Sequence, residues 1–279
     1  MARMSVVVTS CDGYSDLWDP FFKLMDAYWE GMNYPVYLNT ETIQYNKEFC
    51  HFNVKSINLL EGRKPGSTSW SRRMLDVLER TSEEYVMILV EDFFLRETVQ
   101  TELIEQLLDR MDQDKTIGQI QLFGVRTNCD NERQNIISET MTIEQIGDNK
   151  AKVCFVPTIW RKSVLVRWLR PWETIWAFES CGAARAKRWK YPEKVYRIYA
   201  PAVFNYLWEK GCYCVVNGKW MIHPLLTDLF AQHDIKIDYN QRGTITMEEW
   251  KRVDTAAILK RYSLPQIAVK SFNRFRSLF

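Results

Sequence analysis

A chain of 279 residues is long enough for one large domain, or for a domain with an appendage. Its 46% hydrophobic and 26% charged residues are those of a globular protein, and a formal charge of +2 is too small to make nucleic acid its main partner. No run reaches the ~18 apolar residues of a membrane span, and the start, MARMSVVVTS, lacks the apolar core of a secretory signal, so a soluble cytoplasmic chain is expected.

Taken in order, SVVVT (5–9) is a β-branched strand running into the turn cluster Ser10-Cys11-Asp12-Gly13. Asp19-Pro20 suits a helix start, and Phe21, Leu24, Met25 and Tyr28 recur at helical spacing behind it. Strands follow at 36–38 and around 54–60. WSRRMLDVLER, between Ser69 and Arg80, puts Met74, Leu75 and Leu78 on one helix face. The apolar run YVMILV then ends on two adjacent carboxylates, Glu91 and Asp92. Residues 98–111 read as an amphipathic helix, 117–123 as a strand, and 127–150 as a polar stretch with a hairpin near Gly147. A strand at 152–158 enters Trp160 and Arg161, and a helix covers 164–169. A helix is expected at 201–210 and a strand at 213–216. This alternation predicts an α/β fold with a mainly parallel central sheet flanked by helices.

Residues 255–279 differ, with Lys260, Arg261, Lys270, Arg274 and Arg276 but no acid, and with Ile267, Phe272, Phe275, Leu278 and Phe279 interspersed. Two readings stand: a helix docked on the domain, or an interfacial segment drawn to anionic lipid at the inner face of a membrane. The seven cysteines are scattered without a CxxC pair, which suits reduced thiols rather than a structural zinc site. His51, His223 and His233 are too dispersed for a metal motif.

Paired acids at a strand tip repel each other and cost stability unless a cation faces them. Open α/β sheets bind ligands at the carboxyl ends of their strands. Asp12, Glu91 and Asp92 at such an edge suit a divalent cation bridging a diphosphate, or the hydroxyls of a nucleotide. The plain alternative is a solvated turn.

Five segments in order resemble the bacterial GT-A fold glycosyltransferases of capsule or lipopolysaccharide synthesis. They are VVVTSCDGYSDLWDPF, PVYLNTE, SWSRRMLDVLERTSEEYVMILVEDFFL, VPTIWRKSVLVRWLRPWETIWAFES, and VVNGKWMIHPLLTDLF with Tyr239-Asn240-Gln241-Arg242-Gly243. The resemblance spans roughly residues 5–245 and implies a GT-A-like single-domain three-layer sandwich over 1–250, followed by a basic amphipathic helical tail over 251–279. It further implies transfer of a sugar from a nucleotide-diphosphate donor to a saccharide or lipid-linked acceptor. Ser10, Asp12, Arg72, Arg73, Glu91, Asp92, Lys219 and Arg242 are the implied donor-binding residues, and Trp172 and Trp176 the acceptor-side aromatics. Glu179 is the implied catalytic base, with Glu173 second. Asp92 is the candidate contact for Mn²⁺ or Mg²⁺, although Glu91-Asp92-Phe93 puts Phe where a DxD motif needs its second acid. That departure leaves open a catalytically inactive nucleotide- or sugar-binding subunit. A nucleotidyltransferase fits less well, because Cys11-Asp12-Gly13-Tyr14 carries no basic residue.

Overall fold

The computed structural model describes residues 2–57, 60, 62–122, 134–138, 141–146, 153–155, 157–207 and 213–252. The expected hairpin near Gly147 and all but the first two residues of the expected tail lie outside them.

Strand β1 (Met4–Thr9) is followed by a 3-10 turn (Asp12–Leu17) and helix α1 (Trp18–Tyr28). Then come β2 (Val36–Asn39), β3 (Lys47–Glu48), β4 (Asn53–Ile57), α2 (Trp70–Arg80), β5 (Tyr85–Val90), α3 (Thr101–Gln113) and β6 (Ile117–Gln121). The second half holds β7 (Gln134–Ser138), β8 (Met141–Gln145), β9 (Thr158–Arg161), α4 (Lys162–Trp168), α5 (Ile175–Arg188) and β10 (Lys194–Ala200). It ends with β11 (Val215–Val216), β12 (Lys219–Met221), α6 (Pro224–Gln232) and β13 (Thr244–Ile245).

Ten strands form one sheet in the order β3-β4-β2-β1-β5-β9-β6-β10-β8-β7. Parallel pairings join β4 to β2, β2 to β1, β1 to β5 and β6 to β10. The remaining pairings are antiparallel, so the parallel character holds for the first half and the sheet as a whole is mixed. Strand β9 accounts for two of these five antiparallel pairings, since it inserts between β5 and β6 against the direction of both.

The two faces of the sheet bury separate cores. Met4, Val6, Val8, Met87 and Leu89 point into one with α1, α3 and α6; Val7, Val86 and Ile88 point into the other with α2, α4 and α5. This three-layer arrangement explains why SVVVT and YVMILV are apolar at every position rather than at alternate ones. At its outer end β1 is tied to α3 by Arg3, which donates to Glu105 (2.5 Å), Asp109 (2.6 Å) and Asp112 (2.9 Å). Buried Arg161 donates to the carbonyl of Met111 (2.7 Å), satisfying an orphan group at the carboxyl end of α3.

Two expected elements are displaced. The strand expected at 152–158 forms instead at Thr158–Arg161, and residues 201–207 make no helix. Their backbone pairs with the segment after the acidic tip: Arg96 N donates to Asn205 O (3.0 Å), Leu207 N to Phe94 O (2.9 Å), and Leu95 bridges Tyr206. Val203, Phe204, Tyr206 and Leu207 are all buried there, so long-range pairing outweighs local propensity. A small separate sheet, β11-β12-β13, is made possible by Asn217 (φ 50°) and Gly218 (φ 75°). Positive φ at both central residues is what a two-residue hairpin requires.

Candidate functional site

The register of the parallel strands brings the candidate residues together. Thr9 pairs with Asn39 on one side and Val90 on the other, so β1, β2 and β5 end level. The next residues along the chain are Ser10, Thr40 and Glu91, which share one edge of the sheet.

At that edge Ser10 is held between two elements. Its Oγ accepts from Trp18 Nε1 (2.7 Å) and donates to Glu91 Oε1 (2.8 Å). Glu91 is buried, and burial followed by the neighbouring Asp92 charge pushes its carboxyl up to about 8. Asp92 is half-buried, and burial raises it to about 6. The charge of the Arg242 guanidinium acts on both acids in the opposite direction.

Arg242 is itself firmly anchored. It forms a two-point pair with Asp16 (Nε to Oδ2, 2.7 Å; Nη2 to Oδ1) and donates to the carbonyls of Gly218 (3.0 Å) and Gly13 (3.0 Å). It also lies over the Tyr14 ring, 4.7 Å from its centroid. The loop before β13 and the hairpin of the small sheet are thereby locked onto the turn after β1.

Arg73 occupies the gap between β1 and β2. Its Nη1 donates to the carbonyls of Ser10 (2.8 Å) and Thr40 (3.2 Å), while its Nε is buried without a partner. Among the described residues no carboxylate lies within ion-pair distance of it. Burial lowers its pKa, opposed by the more distant charges of Glu41, Cys11, Asp12 and Glu91. A buried guanidinium held by neutral carbonyls is a poised anion site. Helix geometry delivers it, because Trp70, Arg73, Met74 and Val77 share the inward face of α2. Arg72 lies on the outer face, half exposed, and pairs with Asp76 (2.9 Å).

The Asp12 carboxylate is engaged in backbone capping. It accepts from Thr42 N (3.0 Å), Ile43 N (3.2 Å), Glu41 N (3.3 Å) and the hydroxyls of Thr40 (3.2 Å) and Thr42. It staples the turn after β1 to the turn after β2. Its pKa is lowered: burial opposes this, but the bonds from Thr42, Ile43 and Thr40 prevail. Lys219 is exposed on β12, where its charge acts on Glu249, and it stands apart from the cluster.

The segment before α5 abuts the same edge through α2. Ser71 N donates to Glu173 O (3.1 Å), and Trp70 bridges the layers, donating to Thr9 Oγ1 (2.7 Å) while its ring meets Phe155 (5.2 Å) and Phe178 (5.7 Å). Glu179 stands next to Phe178, half-buried, and accepts from the Phe155 amide; burial raises its pKa. Trp172 and Trp176 are 42% and 73% exposed, so neither is committed to the core.

Glu173 requires a correction. It is buried and bonded at both oxygens by Arg185 (Nη1, 2.6 Å; Nη2, 3.0 Å), whose Nη2 also donates to Trp168 O (2.6 Å). Burial and a two-point pair with a buried guanidinium withdraw this carboxylate from an incoming acceptor, which gives it the geometry of a structural pin. His223 likewise serves the backbone, its Nδ1 accepting from Leu225 N (3.2 Å) at the start of α6.

Sequence reading passed over Trp18, Tyr14, Asp16 and Glu41, whose Oε1 accepts from Gly66 N (2.9 Å). The Asp16–Arg242 pairing has no local signature. The choice of Arg73 over Arg72 does have one, in the spacing of the apolar residues on α2.

Among the described residues no group of three or more His, Cys, Asp or Glu is placed to hold an ion. A divalent cation touching Asp92 would need phosphate oxygens to complete its shell.

No family profile and no curated protein sequence matches the chain. Among solved structures, it is similar to Staphylococcus aureus TarS 1-349 in complex with UDP-GlcNAc (TM-score 0.48, 12% identity), over 85% of this chain and 68% of that one. A further crystal structure of TarS 1-349 gives a TM-score of 0.45 at 12% identity, over 73% of this chain and 59% of that one. A longer TarS structure gives 0.47 at 11% identity, and the chain spans only 36% of it. Likeness at this level carries no conclusion about activity, which must come from the residues.

Two outcomes are expected. Glu173→Gln should lower unfolding free energy by about 3–5 kcal/mol in urea titration, the usual cost of leaving a buried charge unpaired. Glu91 has a folded-state pKa of about 8 against an ordinary 4.5, so its protonated form is favoured by folding and that stability is lost as pH rises through 8. Glu91→Gln should therefore gain on the parent between pH 5 and pH 8.5 by more than about 1 kcal/mol, read as diverging melting curves.

Proposed function

We propose that this chain is a glycosyltransferase that uses a nucleoside-diphosphate sugar. The observation that carries the reading is Arg73: a buried cation with an unpartnered Nε, held by two carbonyls where parallel strands end, calls for an anion there. The ordered resemblance of residues 5–245 to GT-A glycosyltransferases supports the same conclusion. The acceptor class suggested by that resemblance is a saccharide or glycolipid hydroxyl in surface polysaccharide synthesis.

The chemistry assigns the residues as follows. Arg73 stabilises the diphosphate as the bond from the anomeric carbon to the phosphate oxygen breaks. Asp92 contacts the donor's hydroxyls, or a Mn²⁺ or Mg²⁺ ion that arrives with its phosphates. Ser10 and Asp12 hold the turn that lines the nucleotide, and Arg242 keeps that turn closed through Asp16. Glu179, its pKa raised by burial, takes the acceptor hydroxyl's proton as the oxygen bonds to the anomeric carbon. Trp172 and Trp176 offer flat faces for the acceptor sugar.

One observation favours a second reading, a binding subunit without turnover. Phe93 stands one place after Asp92, and its ring packs on Tyr206 at 5.5 Å, so no second acid projects there. Slow hydrolysis of the donor in the absence of acceptor distinguishes the two.

Nucleoside diphosphates and their sugars, screened with and without Mn²⁺, should raise the melting temperature by mass action, while Mn²⁺ alone leaves it unchanged. Arg73→Met, checked for folding by circular dichroism, should weaken the effective nucleotide at least about tenfold, the loss of one charge-assisted contact. A full panel without any shift would remove the proposal.

A further inference from the structure

Exposed large apolar side chains are unevenly distributed. Val166, Trp172, Trp176 and Trp189 all fall between residues 166 and 189, against Ile43 and Ile222 elsewhere among the described residues. Charge is skewed in the same segment. Arg167, Lys187, Arg188 and Lys190 are exposed and Arg170 is half-exposed. Its two acids are Glu173, neutralised in the interior by Arg185, and Glu179, half-buried on the Phe155 amide.

The pieces meet on one surface. Tyr191, just past α5, joins them: Arg170 Nη2 donates to its hydroxyl (3.4 Å), the Arg167 guanidinium lies 5.8 Å from its ring centroid, and its ring meets Trp168 at 5.4 Å. The outer face of α4 is thereby set beside the carboxyl end of α5, where Trp189 is 53% exposed between Arg188 and Lys190. Arg167 pairs with Glu193, but Arg170 donates only to neutral oxygens, those of Arg167, Leu169 and Tyr191.

Lys190 adds an independent oddity. It sits in the left-handed region at φ 47°, closing α5 with Tyr191 N donating to Ala186 O (3.0 Å). Glycine is the residue that takes this closing position without steric cost. Lysine there costs stability and adds a positive charge beside an exposed indole.

We infer that the surface formed by α4 and the carboxyl end of α5 docks on an anionic lipid bilayer, Trp189 and Val166 entering the headgroup layer and the lysines meeting lipid phosphates. Indole rings suit that polar–apolar boundary, and cations near an anionic surface add to the attraction. The residues of this surface are separate in sequence from the basic stretch at 255–279, and the inference does not depend on the sugar-transfer reading.

The test is co-sedimentation of the full chain with vesicles of phosphatidylcholine, with and without phosphatidylglycerol. Binding should appear only with phosphatidylglycerol and weaken as salt rises. Lys187→Gln with Lys190→Gly should lower partition on the order of tenfold, while the glycine holds or raises the melting temperature, separating docking from folding. Trp189→Ala, checked for folding by circular dichroism, should weaken binding. Lys270→Glu with Arg274→Glu and Arg276→Glu should leave the effect of the lysine pair intact. No binding to anionic vesicles, binding indifferent to the lysine pair and to Trp189, or complete loss through the residue 270–276 changes alone would overturn the assignment. So would preferential retention of single-stranded oligonucleotide over vesicles.

Discussion

One guanidinium in the interior constrains the rest of the site. Arg73 fills the gap where β1 and β2 stop, bonded to carbonyls that the sheet no longer uses. Desolvating a cation is costly unless charge or well-placed dipoles compensate. Here the compensation comes from two carbonyls and, at longer range, from the charges of Glu41 and Asp12. Around it the acids are unequally placed. Asp12 is fully engaged in backbone capping, Glu91 is held protonated by burial, and Asp92 retains the freest charge. Such a separation of titration behaviour among neighbouring carboxyl groups is how environments assign different tasks to one residue type.

The layers around this edge are joined by few side chains. Trp70 reaches from α2 to Thr9 and meets the rings of Phe155 and Phe178, so an indole joins the end of β1 to α5. Arg185 and Glu173 then fix the turn before α5 from within. Because that pin is fully buried, the exposed tryptophans at 172 and 176 are presented from a rigid base and not from a loose loop.

Much of the fold was legible in the sequence wherever local pattern and final environment agree. YVMILV reads as a strand buried on both faces because it is one, and WSRRMLDVLER reads as a helix, to which the structure adds a cap by Ser69 accepting from Arg72 N. Reading failed where distant backbone decides. Residues 201–207 have the composition of a helix but are captured by the chain after Asp92. The antiparallel β9 could not be foreseen, since strand direction depends on the path of intervening segments. At the site, Asp12, Glu91 and Asp92 were visible as a strand-end cluster, though not the commitment of Asp12 to the Thr42 and Ile43 amides. The role of Glu173 was not, because its partner lies twelve positions away on a helix face that only packing reveals.

Arg242 and Asp16 are separated by 226 positions along the chain. A contact of that span closes a very large loop, and its entropic cost is met late in folding. During synthesis on a ribosome, β1, β2 and β5 emerge long before the residue that clamps the turn between β1 and α1. The nascent amino-terminal half therefore carries the acidic tip without its cation, and gains a finished crevice only when the small sheet arrives.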